Sequence, residues 1–355
     1  MAVELDVHVC TVPTDEPESD GTATWDSTTV VVVEARGGGA VGLGYTYCDA
    51  AAATVIRGTL ADVVDEDVRR SWLAMARAVR NMGRPGIAAC AISAVDQALW
   101  DLEARTLDTS LVDLLGAAHD HVPVYGSGGF CTYSLDRLQT QLGGWAEQGI
   151  PRVKMKLGRE PEHDPARLDA AREAIGDDVE LFVDANGAFT AKDALAWAER
   201  YALEWNVSWF EEPVSSADVD GLRLVREHGP AGLDIAAGEY AYVPEDARTL
   251  IGCVDVLQLD TTRCCGITGV LAASGLATAH DLDVSAHGAP AISAHVFCAV
   301  ERRRHLEYFH DHVRIEELLF DGLPELGGGG LRPDRSRPGN GLELKRQEVK
   351  KWSAS

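Results

Sequence analysis

Residues 180–213 read ELFVDANGAFTAKDALAWAERYALEWNVSWFEEP. ELFVDAN (180–186) is a short apolar run that turns polar at its end. From Ala191 to Tyr201 apolar residues recur at helical spacing, and SWFEEP (208–213) is a second apolar run that again ends in charge. Strand, helix and strand this close together make one unit of a parallel sheet. The same unit recurs on both sides. VPVYG begins at 122 and RVKMK at 152; DIAAGE begins at 234, DVLQLD at 255, DVSAHG at 283 and HLEYF at 305. Successive strands start 21 to 30 residues apart, with helices such as Asp164 to Ile175 in the gaps. Eight repeats predict an α/β fold, a closed parallel TIM-type barrel and not an open sheet, over residues 121–315.

Residues 1–120 follow a different pattern. A strand is expected from Val3 to Val12, then a polar, turn-rich segment PTDEPESDGTATWD (13–26), then a β-branched run from Thr28 to Glu34. A single helical stretch is expected from Ala88 to Leu115, where Ile92, Val95, Leu99 and Leu102 recur at helical spacing. This predicts a small α+β domain. The Gly- and Pro-rich segment 316–355 is expected to pack back on that domain, with a flexible linker as the rival reading.

Composition excludes several partners. The formal charge of −24 opposes nucleic acid and anionic membrane. No run is long and apolar enough for a membrane span, and MAVELDVHVC lacks the plan of a signal peptide. The eight cysteines are scattered with no CxxC pair, which points to reduced thiols and a cytoplasmic location. There are six lysines: Lys154, Lys156, Lys192, Lys345, Lys350 and Lys351. So acidic and lysine-poor a chain fits a surface adapted to high salt; a high-GC genome fits equally. In either case two of the six lysines stand two positions apart.

Barrel active sites lie at the C-terminal ends of the strands. Here those ends carry Lys154 and Lys156; Asp184 and Asn186; Glu211 and Glu212; Glu239; Asp260; His287; and Glu307. Residues two apart on a strand face the same way, so Lys154 and Lys156 share one interior, as do Asp184 and Asn186. One charged strand end is ordinarily a satisfied core polar group. Seven consecutive ones are not, because burying so many charges is costly unless they pair or bind metal. Asp184, Glu211 and Glu239, from adjacent strands and without sulfur, form an oxygen site suited to Mg2+ or Mn2+. Glu212 should point the other way and support the site without ligating.

KMK (154–156), VDAN (183–186), FEEP (210–213) and AAGE (236–239) occur in the order and spacing of the enolase superfamily. LQLD ending at Asp260, His287 in SAHG and Glu307 in HLEYF further resemble its mandelate racemase subgroup. The resemblance spans nearly the whole chain, including AISAVDQALWDLEAR before the barrel. It implies a modified (β/α)7β barrel with an α+β capping domain, a lid within residues 13–26, and frequent homo-oligomers. It also implies a Mg2+-dependent enzyme that abstracts the proton alpha to a carboxylate through an enediolate, using a Lys or His base.

On that basis Lys154 and Glu307 would contact the substrate carboxylate, together with Asn186, and Glu307 would be protonated to do so. An ordinary ion pair of Glu307 with Arg302, Arg303 or Arg304 is the alternative. Lys156 is the candidate base, its pKa expected to be lowered by Lys154 and the cation. His287 is the candidate acid or base on the opposite face, oriented by Asp260. Two such groups allow dehydration of an acid sugar to a 2-keto-3-deoxy acid, the family's commonest use of the dyad, or racemisation and epimerisation of a 2-hydroxy acid. The acidic, hydroxyl-rich segment 13–26, without Arg or Lys, suits a substrate with several hydroxyls or a cationic group, and equally a solvated surface loop. Other readings are a metallohydrolase barrel, disfavoured by the scarcity of strand-end His; an aldolase barrel, whose Schiff-base lysine would also stand on a strand; and a non-catalytic binding barrel, which should have lost a ligand or base and has not.

Overall fold

The computed structural model describes residues 3–353. The chain begins with an antiparallel sheet of β1 (Glu4–Ser19), β2 (Thr24–Gly37) and β3 (Ala40–Tyr47), in that order. Four helices follow: α1 (Ala51–Val55), which runs on into a π-turn, α2 (Val68–Ala78), α3 (Ile87–Thr106) and α4 (Leu111–Leu114). Helix α3 lies flat against β3 because Gly42 and Gly44 leave room for it. A Cβ there would sit 2.1 Å from the Ala98 carbonyl and 2.2 Å from that of Ala94. The free edge of β3 is satisfied by the same helix: Leu43 N–H donates to Asp101 and Tyr45 N–H to Gln97. The helix expected over Ala88 to Leu115 is therefore two helices. The chain leaves α3 at Thr106, Asp108 takes a left-handed φ of 51°, and the Ser110 hydroxyl caps α4 at Asp113 N–H. Apolar periodicity on both sides of the break conceals it.

The polar segment 13–26 is not a loop. After a bulge between Pro13 and Glu18, β1 continues to Ser19 and pairs with β2 through Glu18–Trp25 and Ser19–Thr24. Only residues 20–23 form the turn. Asp15, Glu16, Thr22 and Asp26 of the segment are exposed, whereas Glu18, Ser19 and Asp20 are buried, and backbone pairing does not require apolar side chains.

Eight parallel strands then close on themselves: β4 (Val122–Gly128), β5 (Arg152–Lys156), β6 (Glu180–Asp184), β7 (Val207–Glu211), β8 (Asp234–Ala237), β9 (Val256–Leu259), β10 (Asp283–Ala286) and β11 (Arg303–Phe309), with β11 paired to β4. Seven helices connect them: α5 (Leu135–Glu147), α6 (Asp164–Ile175), α7 (Ala191–Trp205), α8 (Val219–His228), α9 (Pro244–Leu250), α10 (Gly266–Thr278) and α11 (Pro290–Cys298). The barrel interior is plugged by Tyr125, Phe182, Trp209, Ala236 and Val256, a separate buried apolar cluster. Strand alternation places residues two positions further along directly above this plug, at the mouth. Those residues are Ser127, Asp184 and Glu211, followed by Asp260 after β9.

Helix α12 (His310–Leu319), after the last strand, joins barrel to sheet: Tyr45 Oη donates to Glu316 at 2.5 Å, and Thr28 Oγ1 to Asp311 at 3.0 Å. Short strands β12 (Phe320–Asp321), β13 (Glu325–Gly327), β14 (Gly330–Arg332) and β15 (Glu343–Leu344) and helix α13 (Arg346–Trp352) complete the chain. β14 pairs with β4, Asn340 N–H donates to Asp101, and the Arg346 guanidinium grips Glu34 of β2. No helix among the described residues is long and apolar enough to cross a membrane.

Candidate active site

Cα register places Lys156, Asp184, Glu211 and Ala236 side by side across β5 to β8. The third carboxylate therefore does not come from regular alternation. Gly238, at φ 130°, turns the chain just past β8, and a Cβ there would meet the Gln258 carbonyl at 2.3 Å. That turn swings Glu239 into the mouth. Asp184, Glu211 and Glu239 are all buried, and each offers a carboxylate oxygen within 4.8 Å of the others.

Such a concentration of negative charge is offset by buried cations. Lys154 Nζ contacts Glu211, lies 2.8 Å from Glu307 Oε1 and 3.4 Å from Asp184, and faces the Tyr125 ring. Burial alone would lower its pKa, but Glu211 and Glu307 outweigh burial and hold it charged. Lys156 Nζ pairs with Asp184 Oδ2. Burial and Lys154 push the Lys156 pKa down, but while Asp184 serves Lys156 and not a cation its carboxylate outweighs both and raises the pKa above the usual lysine value.

His287 sits at the end of β10 with Nδ1 2.8 Å from Asp260 Oδ2. Its Nε2 faces Glu239 at 3.2 Å and Glu307 at 3.5 Å. Burial opposes its charge, but Glu239 and Glu307 prevail and raise its pKa to about 10, so the ring is an imidazolium at neutral pH. Asp260 is held in place at its other oxygen by Thr262 N–H (2.6 Å) and Oγ1 (2.7 Å).

Glu307 departs from expectation. It is not a protonated donor: Lys154 and His287 overcome its burial and keep it ionised. It accepts from Ser127 Oγ at 2.6 Å and Gly288 N–H at 3.0 Å, leaving no free hydrogen for a substrate. Its cation is Lys154; Arg302 pairs instead with Asp283 and Arg304 with Asp234. Asn186 lies beyond the end of β6 at φ 45°, so strand alternation does not place it. Its N–H donates to Asp184 Oδ1, and its own Oδ1 is buried without a protein partner beside the cavity. Glu212, at φ 40°, is buried and accepts from Gly238 N–H at 3.2 Å, bracing the turn that carries Glu239.

Lys156, Asn186, Glu239, His287 and Glu307 open onto one cavity of about 440 Å3 roofed by the antiparallel domain. Four residues in or beside the cavity were not singled out from sequence. Arg263 reaches Glu239 and Asp260 (both 3.4 Å) and lies over the Tyr240 ring. Its position three residues after Asp260 is the only local signal for it. Ser127 ends β4, and weighing the polar end of that strand as the other seven were weighed would have found it. Trp25 and Asp311 meet the cavity only through tertiary packing.

The turn at residues 20–23 is docked in the barrel mouth. Thr22 Oγ1 donates to the Asn186 carbonyl, Arg159 donates to the Ala23 carbonyl, and Cys131 N–H donates to the Ser19 carbonyl. A Cβ at Gly21 would sit 2.2 Å from the Ala185 carbonyl.

The donor set of the carboxylate trio is all oxygen, with no sulfur or imidazole among the three, and one neighbouring amide oxygen lacks a partner. These residues fit a hard divalent cation.

Comparison with known proteins agrees. Residues 4–116 match the mandelate racemase/muconate lactonizing enzyme N-terminal domain, and residues 137–349 the enolase C-terminal domain-like family. The chain is 32% identical to a 3,6-anhydro-alpha-L-galactonate cycloisomerase of Streptomyces coelicolor, over 96% of both chains. A mandelate racemase/muconate lactonizing enzyme-like protein from Rubrobacter xylanophilus superposes with a TM-score of 0.97 at 59% identity, covering 99% of each chain. An L-talarate dehydratase from Polaromonas, solved with Mg and L-glucarate, superposes at 0.88 with 30% identity, covering 99% of this chain and 96% of that one.

Proposed function

Because this chain belongs to the mandelate racemase/muconate lactonizing enzyme family of the enolase superfamily, we propose that it is an acid sugar dehydratase. In this reading it removes the proton beside a carboxylate and expels the adjacent hydroxyl, giving a 2-keto-3-deoxy acid. The observation that carries the reading is that Lys156 on β5 and His287 after β10 open onto one cavity with Glu239, the carboxylate that brings Asp184 and Glu211 within 4.8 Å of it. Around the closed ring of eight strands, β5 and β10 are five steps apart one way and three the other, so the two groups approach from different sides.

Asp184, Glu211 and Glu239 would hold Mg2+, which when bound supplies positive charge at the substrate carboxylate. Lys156 takes the alpha proton. Asp184 cannot serve a cation fully while it also holds Lys156 Nζ. Releasing that pair removes the largest influence that raises its pKa, and leaves burial and Lys154 favouring the neutral amine against the weaker pull of Glu211 and Glu239. Lys154 and Asn186 bind the substrate carboxylate, displacing contacts that Lys154 now makes within the protein. His287, an imidazolium oriented by Asp260, gives its Nε2 proton to the departing hydroxyl. Glu307 holds Lys154 and His287 in position as an ionised acceptor.

Incubation with a panel of acid sugars and Mg2+ tests this directly. 2-Keto acid formation that EDTA abolishes is the expected result. The same pair could instead return a proton to the opposite face of one carbon, which makes epimerisation the second reading. Inversion with solvent deuterium incorporation and no keto acid would select it.

A further inference from the structure

The reactive end of the cavity accounts for one substrate carboxylate, and the rest of its lining bears on what the other end of the substrate can be. That lining comes from the β1–β2 ribbon, the end of β3 and the start of α12. Its charged members are Asp20, Asp49 and Asp311, all acidic. Hydroxyls of Ser27, Thr28 and Tyr47 lie between them.

Every cation near this wall is already engaged. Arg263 is paired with Asp260 and lies over the Tyr240 ring, and Lys156 and His287 are the proton-transfer pair at the reactive end. Arg314 pairs with Asp311 and donates to the Pro13 carbonyl, and Arg159, held by carbonyls of the 20–23 turn, lines a different cavity. His312 is not a further cation: its Nδ1 accepts Ala289 N–H at 2.9 Å, and the ring is stacked on Tyr47 at 3.6 Å. A ring nitrogen that accepts a backbone hydrogen bond carries no proton, so His312 is neutral and can donate only from Nε2. Burial also pulls its pKa down, to about 4.

The three acids do not make a cation site either. One oxygen of Asp20 is taken by Thr22 and Ala23 N–H, one of Asp49 by Ala51 N–H, and both of Asp311 by Thr28 and Arg314. What they leave toward the cavity is a set of acceptors suited to hydroxyl hydrogens: Ser27, Thr28 and Tyr47 already donate to Asp26, Asp311 and the His312 carbonyl, so their oxygens are left to accept as well.

Resting on the dehydratase reading, we infer that the substrate is an aldonate, a monocarboxylic sugar acid whose far end is an uncharged polyol, and not a dicarboxylic aldarate. A second carboxylate placed against this wall would meet acids and find no free cation, and unpaired like charges at close range cost several kcal/mol.

The test uses the Mg2+-loaded enzyme with matched pairs: aldonates of four to six carbons, each beside the aldarate of the same configuration. The readout is kcat/KM for 2-keto acid formation. The active aldonate should exceed its aldarate partner by about a hundredfold or more. Ser27→Arg, a rim residue outside the catalytic machinery, should shift that ratio toward the diacid by about tenfold, as one new charge-assisted hydrogen bond would. An aldarate turned over as well as its partner, or better, overturns the inference while leaving the dehydratase reading intact. So does an aldonate/aldarate ratio unmoved by Ser27→Arg. Turnover only of acids with a cationic far end also overturns it. Absence of keto acid from every member of both series removes the reading beneath it.

Discussion

Replacing Asp260 by Asn separates the two proton transfers. Asp260 Oδ1 accepts two hydrogens from Thr262, at 2.6 and 2.7 Å, and both donors remain in the variant. The Asn carbonyl must therefore take that position, which leaves the amide NH2 facing His287 Nδ1, now 2.8 Å from a carboxylate oxygen. A donor there forces Nδ1 to be an acceptor and moves the ring hydrogen of the neutral form to Nε2. Glu239 and Glu307, 3.2 and 3.5 Å from Nε2, stabilise that arrangement further. The imidazolium form is lost because its Nδ1–H would oppose the amide. His287 then has no acidic proton to give. Comparable loss of the tautomer-setting carboxylate costs on the order of 10²–10⁴-fold, or ~2.7–5.4 kcal/mol of transition-state stabilisation. The assay is keto-acid formation in parallel with alpha-hydrogen exchange in D2O. Dehydration should fall by that factor, while exchange through Lys156 stays within about tenfold of the parent and thermal stability changes little. Dehydration within about threefold of the parent would refute the reasoning, as would equal loss of exchange and dehydration.

Three further outcomes follow from the geometry. Lys154→Met strands Glu211 and Glu307 without their cation and should cost roughly 3–5 kcal/mol in urea unfolding, a gap that saturating Mg2+ narrows. Gly21→Ala cannot dock its turn without displacing the Ala185 carbonyl, so KM should rise and kcat fall while the melting temperature stays nearly constant. Glu18, buried where Asp311 repels its charge and accepting from Trp25 and Tyr133, has its pKa raised to about 8, by burial first and Asp311 second. Protons are thus bound more tightly in the folded state. The stabilisation is complete below the ordinary Glu value near 4.5 and is lost as pH rises through about 8. Glu18→Gln should flatten the decline in melting temperature between about pH 5 and 9, and an unchanged slope would assign it to another group.

The barrel was legible because each of its eight strands is a compact apolar run with a polar end, and the site because seven of those ends are ionisable. Legibility stopped where one residue changes backbone direction. Asp108, at a left-handed φ, splits a helix whose apolar rhythm continues on both sides. Gly238 delivers Glu239 out of strand phase, so motif order located it where alternation alone would not. Charge state was the least legible property. Whether Lys156 is charged or Glu307 protonated depends on which neighbour sits within about 3 Å, and sequence does not rank Asp184 against Lys154 around one ammonium group. The ribbon at 13–26 was not legible because polar composition is silent on backbone pairing and on the tertiary packing that buries Glu18, Ser19 and Asp20.

Under the proposed function Lys156 removes the alpha proton and His287 acts after it. Alpha-hydrogen exchange in D2O, measured by NMR on a turned-over acid sugar with Mg2+ for the parent, Lys156→Ala and His287→Ala, tests it most directly. Lys156→Ala should abolish both exchange and keto-acid formation, whereas His287→Ala should abolish keto-acid formation and keep exchange. Exchange that survives in Lys156→Ala at the parent rate would contradict it.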